Sequence, residues 1–297
     1  MLAQYINGNT LVSIYEDGTK VREYEGAAYP DFPESIDVKI TGWCNLGCSY
    51  CHESSTVDGL HGDLDILLEK MKGLPAGVEL AIGGGNPLSH PDLMPFLIKL
   101  KELGFIANIT VNQGHLKPYA DMVKFLMASD LVKGVGISIT SKNYKHIRQL
   151  LEISDNIVYH LIAGVNSIEE VDGLIKLNEQ FNRECKILIL GYKVFGMGIK
   201  YYEGGKETVQ KNLTKWHSGV RGLIGKCLLS FDNLAISQLN VKQLFTEEGW
   251  DKFYMGDDFQ FSMYIDAVKQ EYAPTSRSKE RASFDETDLI KFFKNKK

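Results

Sequence analysis

Apolar positions in this chain follow two alternating patterns. Short continuous runs rich in β-branched residues occupy 36–40, 78–82, 106–111, 135–139, 157–162 and 187–190. Between them apolar residues recur at three- and four-residue spacing: Leu64, Leu67, Leu68 and Met71; Leu93, Phe96, Leu97 and Leu100; Met122, Val123 and Leu126; Ile168, Val171, Leu174 and Ile175. Continuous apolar strands alternating with amphipathic helices predict a parallel sheet covered by helices. Six such units predict an α/β chain with a partial (β/α)6 TIM-like barrel.

Flanking segments add smaller pieces. Residues 11–24 read as two strands around Glu16-Asp17-Gly18-Thr19, an Asp-Gly signal for an N-terminal β-hairpin at an edge or lid. Past the sixth strand, the glycines of 195–198 suit a mobile loop, 207–217 is a polar helical stretch, and 227–239 offers a further barrel strand. Residues 259–273 alternate like a hairpin on the outside of a small C-terminal β/α extension. A polar linker over 275–287 precedes a short terminal helix at 289–293. The expected division is 1–34 (hairpin extension), 35–240 (barrel) and 241–297 (extension and tail).

Composition narrows the function classes. Hydrophobic residues make up 44% and charged residues 24%, near globular averages, and no apolar run is long enough to span a bilayer, so no membrane partner is expected. A formal net charge of −5 offers no electrostatic reason to expect duplex nucleic acid. Five cysteines in 297 residues, without an N-terminal apolar signal segment, read as a reducing cytoplasm in which clustered cysteines mean metal or catalysis.

The cysteines are clustered. Cys44, Cys48 and Cys51 lie in a short polar loop directly after the first strand. Three thiolates hold three irons of a cubane cluster, whereas full protein ligation takes four, so this spacing leaves one iron open. A structural zinc site completed by His52, Cys185 or Cys227, a disulfide pair, and buried apolar cysteines are the competing readings. Other polar or glycine residues also gather at strand ends, where enzymes on parallel barrels work. Gly83 to Pro87 follow the second strand, Asn112 to Gly114 the third, Ser138 and Thr140 end the fourth, and Gly191-Tyr192-Lys193 follow the sixth.

With Lys39-Ile40-Thr41-Gly42-Trp43 before it, the loop Cys44-Asn45-Leu46-Gly47-Cys48-Ser49-Tyr50-Cys51 resembles the signature of the radical S-adenosylmethionine (radical SAM) superfamily. The likeness implies a 4Fe-4S cluster on Cys44, Cys48 and Cys51. Its open iron is chelated by S-adenosylmethionine, which one electron from a flavodoxin- or ferredoxin-type reductant cleaves to a 5′-deoxyadenosyl radical. Tyr50 matches the aromatic that lies against adenine. Gly84-Gly85-Asn86-Pro87 resembles the family's Gly-Gly-Glu-Pro segment, which binds the methionyl amino group, with Asn86 where glutamate is usual. Asn112, Ser138, Thr140, Gly164 and Tyr192 fall at positions that the resemblance marks as cofactor-binding. It covers about residues 35 to 195.

The motif does not specify the step after hydrogen abstraction, and neither an oxidoreductase nor a transferase outcome is selected. A peptide or protein side chain is the favoured substrate, on a faint likeness of the C-terminal region to peptide-modifying members. The missing cysteines there predict a single cluster. A small molecule or nucleotide is the alternative, and a catalytically silent cofactor-binding sensor a third. Lys193, Asp232, His115 and Asp266 are candidate catalytic residues by position. Cys185 and Cys227 read as buried and inert.

Overall fold

The computed structural model describes residues 1–295. Each expected strand is present: β4 (Ser35–Thr41), β5 (Glu79–Gly84), β6 (Ile106–Asn112), β7 (Gly134–Ser138), β8 (Ile157–Ile162) and β9 (Lys186–Leu190), preceded by β1 (Ala3–Asn7), β2 (Thr10–Ile14) and β3 (Lys20–Glu23). Further strands are β10 (Leu228–Phe231), β11 (Ser262–Asp266), β12 (Glu271–Ala273) and β13 (Ala282–Ser283). One sheet runs β10-β9-β8-β7-β6-β5-β4-β11-β12-β13, with every pairing from β10 through to β11 parallel. Its two edges do not pair among the described residues, so the barrel is partial, with the six expected units extended by β10 on one side and β11 on the other.

The helices fall where the periodicity places them. α1 (Leu64–Met71) turns Leu64, Leu67, Leu68 and Met71 inward, and Asp63 Oδ1 caps it by accepting from the backbone N–H of Asp65 and Ile66, both at 3.0 Å. α2 (Leu93–Glu102) and α3 (Leu116–Ala128) cover the same sheet, as does α5 (Glu170–Glu179). Ile36, Val38 and Ile40 of β4 are buried in the core shared with these helices, while Asp37 and Lys39 alternate to the concave side.

Several segments differ from the sequence reading. A helix α4 (Lys145–Leu151) fills the fourth unit, burying Ile147, Leu150 and Leu151, a helical spacing that the sequence reading passed over. The 10–23 hairpin forms, with β2 pairing β3, but β1 also joins it in a separate three-stranded sheet. The segment at 259–273 is not external. β12 does fold back on β11, yet β11 lies beside β4 in parallel register, Ile265 opposite Val38, because Met263, Tyr264, Ile265 and Asp266 are all buried there. Nor is 275–287 a free linker: it carries β13, and Phe284 is buried with its ring centroid 4.6 Å from that of Tyr272.

The loop at 195–198 is tied down, and it leads into α6 (Met197–Gly219), which absorbs the expected polar helix. Met197 N–H donates to Cys51 O at 3.0 Å, and Tyr192 O–H to Gly198 O at 2.6 Å. α6 is largely polar, and it anchors on Trp216, a fully buried side chain whose indole N–H donates to Asn166 O at 2.9 Å. The short α7 (Asn233–Leu239) and α8 (Glu247–Phe253) come after β10, and α9 (Leu289–Asn295) docks through Leu289, Phe292 and Phe293.

Replacing Trp216→Ala is expected to cost about 3–5 kcal/mol through the cavity and the lost hydrogen bond, read as a lowered urea midpoint; an unchanged midpoint would show that α6 is held by other contacts.

Candidate active site

The loop after β4 is built from backbone hydrogen bonds. Gly42 N–H donates to Leu60 O, Cys44 N–H to Thr56 O (both 2.8 Å), and Cys51 N–H to Cys48 O at 3.0 Å. Beside it, the end of β5 comes close enough for Gly85 N–H to reach Thr41 O at 2.8 Å and Asn86 N–H to reach Trp43 O at 2.7 Å. Only glycine permits this approach. A Cβ on Gly85 would lie 2.1 Å from Trp43 O, and one on Gly84, whose φ is +112°, 2.4 Å from Thr41 O.

Cys44, Cys48 and Cys51 face a cavity of about 710 Å³ at the carboxyl ends of the parallel strands. His115 Nε2 lies 3.5 Å from Cys44 Sγ, and Asn112 Nδ2 donates toward Cys48 Sγ at 3.7 Å. Burial raises the Cys44 and Cys48 thiols and lowers His115 to about 4, so the imidazole is neutral and keeps one N–H to donate. Cys185 and Cys227 stand just before β9 and β10, at the opposite ends of their strands and outside the cavity lining. Neither can complete a fourth position.

Among the described residues no set of three or more His, Cys, Asp or Glu side chains closes around a single metal ion. A structural zinc wants four ligands, whereas a cubane takes one thiolate on each of three irons and leaves the fourth open. Three convergent thiols without a fourth therefore fit a cluster with one open iron. Tyr50 stands at the rim, its ring centroid 5.7 Å from that of Tyr201, which is in turn 6.1 Å from Tyr192.

Below the thiols runs a chain of charged groups. Lys39 Nζ contacts Glu53 Oε2 at 3.0 Å and Asp266 Oδ2 at 3.4 Å, while Tyr264 O–H and His52 Nε2 also reach the Glu53 carboxylate. Burial pushes the Glu53 carboxyl upward, but His52 and Lys39 overcome that and hold it well below its usual range. Lys193 Nζ lies 3.3 Å from both His52 Nε2 and Ser276 Oγ. On β8, burial and the Lys193 ammonium lower His160 to about 4.

Most of the residues singled out from the sequence converge on this cavity: the three cysteines with Tyr50, Gly84, Gly85, Asn112, His115, Ser138, Tyr192, Lys193 and Asp232 all line it. Asp232 also caps α7, its Oδ1 accepting from Ala235 and Gly191 N–H. Five lie outside the lining. Asn86 is buried with its amide oxygen capping the turn at Leu88, and Pro87 is buried behind it. Thr140 is exposed, its N–H held by Gln113 Oε1 and its hydroxyl donating to Asn112 Oδ1 at 3.4 Å; Gly164 packs on the Tyr192 ring; and Asp266 sits behind Lys39. The sequence reading missed Asp37, Lys39, Glu53, Asn108, Thr110 and His160, which also line the cavity. For Asp37, Lys39, Asn108, Thr110 and His160 the signal was a polar residue on the cavity-facing side of a strand otherwise apolar; Glu53, in the cysteine loop, carried no such signal.

The Radical SAM superfamily pattern matches residues 38–197, more than half of the chain. The GTP 3′,8-cyclase of Geobacter sulfurreducens is 30% identical over 131 residues, 40% of this chain and 38% of that protein. The tungsten-containing aldehyde ferredoxin oxidoreductase cofactor-modifying protein of Pyrococcus furiosus is 29% identical over 151 residues, 48% of this chain and 38% of that one. Each match therefore spans well under half of the relative. Among solved structures, Streptococcus suis SuiB bound to precursor peptide SuiA superposes with a TM-score of 0.59 at 12% identity, covering 89% of this chain and 65% of SuiB; that likeness is one of fold.

Replacing Lys39→Met strands the Glu53 and Asp266 carboxylates and is expected to cost about 3–5 kcal/mol in urea unfolding, with part recovered when Glu53→Gln is added. His160 sets a pH effect. Its folded pKa, about 4, lies below the ordinary 6.5, so the unfolded chain binds more protons between those values and stability falls as pH drops through that window. His160→Gln is expected to flatten that slope in a pH series of urea midpoints; an unaltered slope would assign it to other groups.

Proposed function

The chain belongs to the radical SAM superfamily, and from that we propose that it is an enzyme in which Cys44, Cys48 and Cys51 hold the 4Fe-4S cluster, and that it abstracts hydrogen, through the bound cofactor, from a peptide or protein side chain. The observation that carries this reading is the convergence of three thiols, without a fourth, on the cavity at the carboxyl ends of the parallel strands. When bound and reduced by one electron, cluster and S-adenosylmethionine supply a radical that takes a hydrogen atom from the substrate.

The protein's own share is positioning and shielding. His115 and Asn112 stand where an N–H donated to a cysteine sulfur stabilises electron density on it, which raises a cluster's potential. Gly84 and Gly85 let the strand end approach the cysteine loop, where backbone carbonyls would accept from a methionyl ammonium. Tyr50, with Tyr201 and Tyr192, forms an apolar wall suited to adenine. Lys193 and Asp232 bound the substrate side of the cavity. A flavodoxin or ferredoxin would deliver the electron. No helix among the described residues is long and apolar enough to cross a membrane. The likeness to the GTP 3′,8-cyclase favours a nucleotide as the second reading.

Cys48→Ala is expected to abolish both the brown absorbance after anaerobic reconstitution and the release of 5′-deoxyadenosine under reduction; retention of either would reject the assignment.

A further inference from the structure

Charge inside the cavity is unevenly matched. Its carboxylates are Asp37, Glu53 and Asp232, its ammonium groups Lys39 and Lys193, and no arginine lines it among the described residues. Lys39 is already shared between Glu53 and Asp266, so its charge is offset from two sides. Lys193 is held between His52 and Ser276 near the mouth.

Asp37 is placed differently from the other carboxylates. It is the one exposed position of β4, and it opens onto the cavity. Thr41 ends the strand four residues later, so Asp37 lies about 13 Å down the barrel from that end at roughly 3.3 Å per residue. That depth separates it from the cysteine loop. Its register neighbours are Ala81 and Tyr264, and among the described residues its side chain makes no hydrogen bond or ion pair. Asp232, Glu53 and Asp258 add to the negative field around it, and Lys193 opposes it from a distance. The carboxylate therefore has a free face toward the open cavity.

Resting on the radical SAM reading, we propose that the substrate presents a cationic nitrogen, an ammonium or guanidinium, which seats against Asp37 on the cavity floor, and that a nucleoside triphosphate is not the substrate. A carboxylate with a free face pairs a cationic nitrogen through charge-assisted hydrogen bonds. A triphosphate brings several negative charges and calls for a set of arginine or lysine clamps, whereas this lining holds no arginine, one lysine already offset by two carboxylates, and a single further lysine, Lys193, which has no carboxylate partner. Burial raises the Asp37 carboxyl, and an arriving cation favours its ionised form. A lysine or arginine side chain of a peptide meets this requirement.

The test uses the reconstituted, S-adenosylmethionine-loaded holoenzyme under anaerobic equilibrium dialysis, with agmatine as the cationic probe and GTP as the anionic one. Saturable agmatine binding and no saturable GTP binding are expected. Asp37→Asn is expected to weaken agmatine at least about tenfold, and Asp37→Glu to restore part of the loss; visible cluster absorbance shows that each variant assembled. Saturable GTP binding, absent agmatine binding, or equal agmatine affinity in Asp37→Asn overturns the inference, and the wild-type comparison decides it even if a variant fails to assemble. A chain lacking cluster and 5′-deoxyadenosine release would instead fail the underlying reading, so the two failures are distinguishable.

Discussion

A lysine ammonium inside a parallel barrel must be matched, and the way Lys39 is matched organises the site. Its partners arrive from two directions. Glu53 comes from the cysteine loop, two residues after Cys51, and Asp266 from β11 at the same level of the sheet, opposite Lys39. Breaking such a pair leaves an uncompensated buried charge, which is far more costly than leaving a surface pair unmade. The contact therefore fixes the cysteine loop to the sheet and ties in β11, a strand contributed from more than 200 residues along the chain.

A second constraint is steric. Gly84 and Gly85 bring the backbone of the β5 end onto that of the cysteine loop, and Gly196, with φ of +56°, brings the start of α6 against His52 O. The loop is thus pressed between a strand end and a helix start, while Glu53 anchors it from below. Three thiols on a flexible loop would sample many spacings. Held by backbone contacts on both flanks, these are presented to one cavity, as a preorganised site requires.

The strands and most helices were legible because the sheet is parallel and covered, which writes itself as unbroken apolar runs between helical periods. The same rule concealed the cavity. Reading 36–40 as one apolar strand passed over Asp37 and Lys39, although their alternation with Ile36, Val38 and Ile40 assigns them to the opposite face. β11 was hidden for a related reason: Ser262 to Asp266 mixes polar and apolar residues and looks like a surface hairpin until it is seen to contribute Tyr264 and Asp266 to the Lys39 network. Asn86 shows the limit of motif transfer, since its side chain is engaged in capping the turn after β5.

Local spacing determined a good deal by itself: three thiols within eight residues at a strand end, the glycines that must come after β5, and the alternation of strand and helix are properties of neighbouring residues. Only the tertiary structure decided that Cys185 and Cys227 stand at the far ends of their strands, that Lys39 answers to Glu53 and Asp266, and that Asp37 faces the cavity without a partner. Periodicity and motif spacing act over a few residues, whereas charge matching and enclosure depend on which distant segments the fold brings together.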